Sequence, residues 1–120
     1  MRVYTVLPQD NLDHAAEAAA KAEAFGYDGL ASMENQHSPF LPHAAAITST
    51  SKIKLMTGIA IAFARSPMVV ANECFDLQAS SGGRFILGIG SQVRAHNVRR
   101  FSVPWSPPVP RMREYIEALR

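Results

Sequence analysis

The chain has 120 residues, 48% of them hydrophobic and 18% charged, with a formal net charge of +2. That balance is too apolar for a disordered segment and too weakly basic to require nucleic acid or a membrane surface as partner. No apolar run approaches the roughly 20 residues of a membrane span. No secretory leader pattern precedes the first strand-like residues, and the single cysteine, Cys74, excludes an internal disulfide. A cytoplasmic protein is therefore expected.

Arg2 to Leu7 is a short apolar, β-branched run that reads as a strand and is stopped by Pro8. Asp10 and Asn11 offer N-cap oxygens to a helix from Leu12 to Phe25, whose apolar face is Leu12, Ala15, Ala19 and Ala22. Glu17 and Lys21 form an i,i+4 pair in the favourable order, and Gly26 supplies the stop. Gly29 to Met33 is a second strand, followed by a polar loop from Glu34 to Pro42 and a short helix from Leu41 to Thr50. Ile53 to Phe63 hardly alternates, as expected of a parallel strand buried on both faces. Ser66 and Pro67 open a helix that continues from Met68 to Ala79 and ends at Gly82 and Gly83. Arg84 to Ile89 is a fourth strand. A loop with four prolines, Gly90 to Pro110, precedes an amphipathic helix striped by Met112, Tyr115, Ile116 and Leu119.

Strands alternating with helices predict right-handed βαβ units and a parallel α/β sheet. Four such units are counted in one domain, 1–120. The last helix has no C-cap signal and reads as interrupted at Arg120.

From Ile53 onward the sequence resembles the luciferase-like monooxygenase superfamily, in its branch that uses the deazaflavin coenzyme F-420. The residues concerned are TGIAIAFARSPMVVANECFDLQASSGGRFILGIGSQV and the later AHNVRRFSVPWSPPVPRMREYIEAL, with GYDGLASMENQHSPFLPHAAAITSTSKIKL as the preceding unit. The resemblance covers essentially the whole chain. It implies the first four βα units of a TIM-type (β/α)8 barrel, a fold that typically needs about 250 residues. Half a barrel has open sheet edges, so a homo-oligomer or a complementing barrel half is the expected partner.

In such barrels chemistry sits at the carboxyl ends of the strands. The resemblance places a functional histidine at His37, facing the cofactor and substrate. An imidazole with a pKa of about 6.5 can give or take a proton near neutral pH. The resemblance also places a bulge with a non-proline cis peptide at Gly58-Ile59, backing the cofactor ring together with Ala60. Glycine at 58 removes a Cβ that would crowd that ring. Gly90, Ser91 and Gln92 are implied to contact the ring's polar edge. Residues 62 to 65 should line the pocket mouth, while His96 and Asn97 lie just beyond.

Gly88-Ile89-Gly90 is not a dinucleotide fingerprint, because Val93 stands where the third glycine should be and the first βα position is wrong. Arg94, Arg99, Arg100, Arg111 and Arg113 form a basic cluster in sequence that would suit the anionic tail of a cofactor. One cysteine and four scattered histidines provide no metal-ligand spacing. His43 and Cys74 read as packing residues.

The expectation is thus an oxidoreductase that binds coenzyme F-420, or alternatively FMN, and exchanges a hydride with, or monooxygenates, a small organic substrate. Barrel phosphate sites commonly use loops after strands seven and eight, so weak cofactor affinity is expected of the 120 residues alone. The alternative is a non-catalytic fragment or assembly module that dimerises through its open sheet edges.

Overall fold

Parallel pairing organises residues 1–120, which the computed structural model describes in full. The elements are β1 (Tyr4–Val6), α1 (Leu12–Ala24), β2 (Gly29–Ser32), α2 (Leu41–Ser49), β3 (Lys54–Thr57), β4 (Ala60–Ile61), α3 (Pro67–Ser80), β5 (Phe85–Ile86), β6 (Ile89–Gly90), α4 (Arg94–Phe101) and α5 (Pro108–Leu119). Strands β1, β2, β3 and β5 form one parallel sheet in that order, and β4 pairs parallel with β6 in a small second sheet.

Register divides the larger sheet into two unlike faces. Leu30, Leu55 and Phe85 stand side by side and are buried with the helices that cover this face. One residue further on, Val6, Ala31, Met56 and Ile86 form the row of the opposite face. Val6 is 56% exposed and Ile86 38%. Side chains alternate between faces with period two, so burial of one row leaves the other open.

Local chemistry explains the helix limits. Asn11 caps α1 by accepting from the Asp13 N–H, and Ser66 caps α3 by accepting from the Val69 N–H. Pro67 occupies the first turn, where its missing N–H costs nothing. Gly26, Gly82 and Gly83 adopt positive φ after their helices. Ala15, Ala19 and Ala22 are buried as expected, whereas Leu12 stays 45% exposed. On α5 it is Tyr115 that is buried, and Ile116 is 39% exposed.

Three expected boundaries change. The run Ile53 to Phe63 is not one strand: it breaks after Thr57, resumes as β4, and closes in a 3-10 turn at Ala62–Ala64. The run Arg84 to Ile89 breaks at the same level, between β5 and β6. The segment 90–110 holds α4, since its prolines begin only at Pro104 and Arg94–Phe101 contains neither proline nor glycine. Ser102, in the left-handed region at φ 54, ends that helix. Helix α5 starts at Pro108, because prolines are tolerated in a first turn.

At the amino ends of the strands, one turn is clasped from two sides. The Glu23 carboxylate accepts the N–H groups of Ser51, Lys52 and Ile53 at 3.0, 2.7 and 2.8 Å. Buried Arg84 donates to the Thr50 hydroxyl and carbonyl at 2.9 and 3.1 Å, to the Ile53 carbonyl at 3.0 Å and to the Ser81 carbonyl at 2.8 Å. Helix α1, the α2–β3 turn and the start of β5 are thereby joined.

Burial alone would raise the Glu23 pKa, but the backbone N–H groups of Ile53, Lys52 and Ser51 outweigh it and lower the value to about 2. A depressed carboxyl pKa stabilises the fold above the unfolded value and loses that contribution as pH falls through the folded one. Urea midpoints of the unsubstituted protein and of Glu23→Gln should therefore differ at pH 6 and converge towards pH 2. A gap that stays constant with pH would show that Glu23 stabilises through packing alone.

Candidate functional site

The two strand breaks occur where Thr57 and Gly88 meet. The Thr57 hydroxyl donates to the Gly88 carbonyl at 2.7 Å and accepts the Gly88 N–H at 2.9 Å. The same carbonyl accepts the Ala60 N–H at 2.8 Å, and the Gly58 N–H donates to the Ser32 carbonyl at 2.6 Å. A Cβ at Gly88 would lie 2.1 Å from the Thr57 carbonyl oxygen, so only glycine fits this junction. Beyond it, β4 and β6 pair Ala60 with Ile89 and Ile61 with Gly90.

This step brings two of the expected segments into one patch at the carboxyl end of the sheet. Ile59, 37% exposed, lies over Gly90: a Cβ on Gly90 would come 3.0 Å from Ile59 Cδ1. Ser91 and Gln92 continue from Gly90, with Gln92 in the left-handed region at φ 56. The Gly58-Ile59 peptide is cis, as the sequence resemblance implies. A Cβ at Gly58 would meet the protein only at ordinary distances, 3.5 Å from Ala31 Cβ and 3.7 Å from Met56 Cε. Internal packing therefore demands glycine at 88, is tight at 90 and leaves room at 58.

Glu34, buried at the end of β2, is a residue whose role sequence reasoning did not assign. Its Oε2 accepts the Ile61 N–H at 2.6 Å and Arg65 Nη1 at 2.8 Å. Arg65 also lies over the Phe40 ring, 5.4 Å from its centroid. Glu34 thus ties the loop after β2 to β4. An acidic residue immediately after a buried strand was the available signal; its partners lie too far along the chain to be read from spacing.

His37 stands elsewhere on the same loop. It is exposed and lines a hollow of about 200 Å³ with Gln9, Asp10, Asn11, Leu12 and Ser38 among its neighbours. No residue of Gly58–Ala60 or Gly90–Gln92 lines that hollow. Gln9 holds the loop by donating to the Ser38 carbonyl at 3.1 Å and accepting the Met33 N–H at 3.0 Å. The structure therefore joins the two expected cofactor segments and leaves His37 on the adjoining loop, towards the start of α1.

His43 is fully buried, with Nε2 2.8 Å from Ser32 Oγ and 3.1 Å from the Met56 carbonyl. Burial, opposed by the Met56 carbonyl, lowers its pKa to about 4. The Ser32 hydroxyl donates to the Pro39 carbonyl at 2.6 Å, so a neutral His43 supplies the proton of the Ser32 contact. Burial first, and Glu73 second, raise the Cys74 pKa to about 11, which suits a packing thiol better than a nucleophile.

Phe63, Ala64 and Arg65 line a cleft of about 550 Å³ with Arg111, Glu114 and Tyr115 on its other wall, and no residue of Gly58–Ala60 or Gly90–Gln92 lines it. The expected basic cluster does not converge there. Arg111 lies over the Phe63 ring at 4.4 Å, Arg94 and Arg99 line a groove on α4, and Arg113 lines another on α5. No three His, Cys, Asp or Glu side chains are grouped to hold a metal ion, and no helix is long and apolar enough to cross a membrane.

The family model for luciferase-like monooxygenases matches residues 1–120. The chain belongs to this family. This luciferase-like chain is 51% identical over 111 residues to an uncharacterised protein of Mycobacterium tuberculosis, covering 92% of itself and 33% of that relative. It is 29% identical over 101 residues to the 5,10-methylenetetrahydromethanopterin reductase of Archaeoglobus fulgidus, covering 84% of itself and 30% of the reductase. It thus spans about a third of the length of these relatives.

Among solved structures, the coenzyme F-420 dependent tetrahydromethanopterin reductase of Methanopyrus kandleri matches with a TM-score of 0.83 at 27% identity, over 98% of this chain and 39% of that one. The oxygenating constituent of 3,6-diketocamphane monooxygenase from Pseudomonas putida, in complex with FMN, matches with a TM-score of 0.84 at 20% identity. That match covers 99% of this chain and 38% of the monooxygenase, and it shows the fold. The architecture is accordingly the parallel α/β sheet of the luciferase-like barrels, spanned in part.

Two substitutions test the junction. Gly88→Ala drives a Cβ into backbone and should cost at least about 2 kcal/mol in urea denaturation. Glu34→Ala leaves the Ile61 N–H and the Arg65 guanidinium without their carboxylate and should cost about 2–4 kcal/mol. Unchanged urea midpoints in either variant would contradict the contacts described.

Proposed function

We propose that this protein is an oxidoreductase that binds coenzyme F-420, or alternatively FMN, at the β4–β6 step and acts on a small organic substrate. The observation that carries the proposal is the packing of Ile59 on Gly90 beside an unobstructed Gly58, at the strand ends of a luciferase-like chain. The residues present fit a flat tricyclic ring. Ile59 and Ala60 offer an apolar support, Gly58 adds no side chain, and Ser91 and Gln92 supply a hydroxyl and an amide for a polar ring edge.

When bound, such a cofactor exchanges a hydride with the substrate or activates oxygen for its monooxygenation. The chain's own part is to orient the ring, exclude water from one face and move a proton. His37 is the proton carrier in this reading, reaching substrate from the loop beside the patch. Likeness to the methanopterin reductases, named as F-420 dependent in the solved case, favours the deazaflavin over FMN.

Absorbance titration of the purified protein with coenzyme F-420 and with FMN should give saturable binding, tighter for the deazaflavin. Gly90→Val should weaken that binding at least about tenfold by filling the patch. His37→Asn should lower turnover about 100-fold while leaving the dissociation constant nearly unchanged. Full turnover in His37→Asn would remove the histidine from the chemistry, and undiminished binding by Gly90→Val would move the ring elsewhere.

A second reading, an assembly module that pairs through its open sheet edges, is favoured by the exposed row with Val6 and Ile86. Solution mass separates the readings, because a folded monomer argues against edge pairing.

A further inference from the structure

Resting on that reading, we propose that Asn97 is the positioning residue for the polar edge of the ring site, acting through Ser91 and Gln92 rather than touching the ligand. Asn97 is 1% exposed on the first turn of α4. Its side-chain Nδ2 donates to the Ser91 carbonyl at 2.9 Å and lies 3.4 and 3.3 Å from the carbonyls of Gln92 and Val93. Its backbone N–H donates to the Val93 carbonyl at 3.2 Å. One buried amide therefore gathers the carbonyls of the whole turn that leaves β6.

The orientation of that amide is set by its surroundings. A flipped side chain would point Oδ1 at the same carbonyl oxygens, so Nδ2 must face the turn. Oδ1 is then buried without a hydrogen-bond partner. An unpaired buried acceptor is unfavourable and uncommon in folded proteins, and Asn97 carries one as a consequence of holding the turn.

What is held is an uncommon backbone shape. Gln92 has φ 56, a region that a side chain without local compensation seldom enters. Within this turn Gln92 Oε1 accepts the Val93 N–H at 2.8 Å, which leaves the amide nitrogen as the donor available to a ligand. The Ser91 carbonyl is occupied by Asn97, which leaves the hydroxyl of Ser91 for the same purpose. Without the Asn97 amide the turn would be free to relax, and both groups would lose their fixed positions next to Gly90. Directional polar contacts are worth most when their donors are held in place before the ligand arrives.

The experiment compares the purified protein with Asn97→Asp, which keeps the shape and removes the donors, and with Asn97→Ser. FMN and coenzyme F-420 are titrated below the onset of melting, recording both the dissociation constant and the absorbance difference spectrum of the bound ring. The expected result is an affinity about tenfold weaker in both variants, with a displaced bound-state band, because hydrogen bonds at the ring edge move that band. Equal affinity and an unchanged band in the folded variants would overturn the inference, whatever their melting temperatures.

If neither variant folds, the side-chain NH2 resonances of Asn97 in the unsubstituted, nitrogen-15-labelled protein decide it. They should shift on saturation with FMN while those of Gln78, at the opposite end of the strands, stay put. Unmoved Asn97 resonances at saturation would overturn the proposal. Absence of any saturable binding by the unsubstituted protein would instead sink the cofactor reading, and this inference with it.

Discussion

The reciprocal contact between Thr57 and Gly88 is the constraint on which the rest of the site depends. A hydroxyl that both donates to and accepts from one glycine pins two adjacent strands at the level where each one breaks. Neither strand continues straight past that point. Both step sideways and pair again as β4 and β6, which sets Ile59 on Gly90. A side chain at 88 would separate the strands, and the patch would have no floor. Glu34 secures the same step from the neighbouring loop through the Ile61 N–H and Arg65.

The opposite ends of the strands are built differently. There a carboxylate and a guanidinium, Glu23 and Arg84, saturate the N–H groups and carbonyls of a single turn. Hydrogen bonds to charged groups are among the stronger ones, and these join elements distant in sequence. The carboxyl ends instead present half-buried Gly90, Ser91 and Gln92, with exposed His37 on the neighbouring loop. Both ends are thus fastened, the amino ends by charged side chains and the carboxyl ends by Thr57–Gly88 and Glu34. It is at the carboxyl ends that barrels of this type place their chemistry.

Much of the architecture was legible because it is written in short-range chemistry. Asn11 and Ser66 as caps, Pro67 in a first turn and Gly26, Gly82 and Gly83 as stops all follow from properties of single residues. The strand breaks were not legible as hydropathy, since Ile53 to Phe63 is apolar whether it runs straight or steps. Only the resemblance pointed to Gly58-Ile59. Helix α4 was hidden by its polar composition and by the prolines that follow it. The part played by Glu34 depends on Ile61 and Arg65, 27 and 31 residues away, and no local pattern encodes that pairing. Gly88 was assigned no role in the sequence, yet the packing around it makes it a structural necessity. His37 lies on the loop after β2, and its position towards Gln9 and Leu12 depends on how that loop folds back, which no local pattern encodes.

The central claim is that the peptide segments on either side of the step form one binding surface. Hydrogen–deuterium exchange of the purified protein, with and without saturating coenzyme F-420, tests it most directly. The account predicts slowed exchange in both 58–61 and 88–93, with 50–53 unchanged at the far end of the strands. Protection confined to one of the two segments, or appearing only away from both, would contradict it.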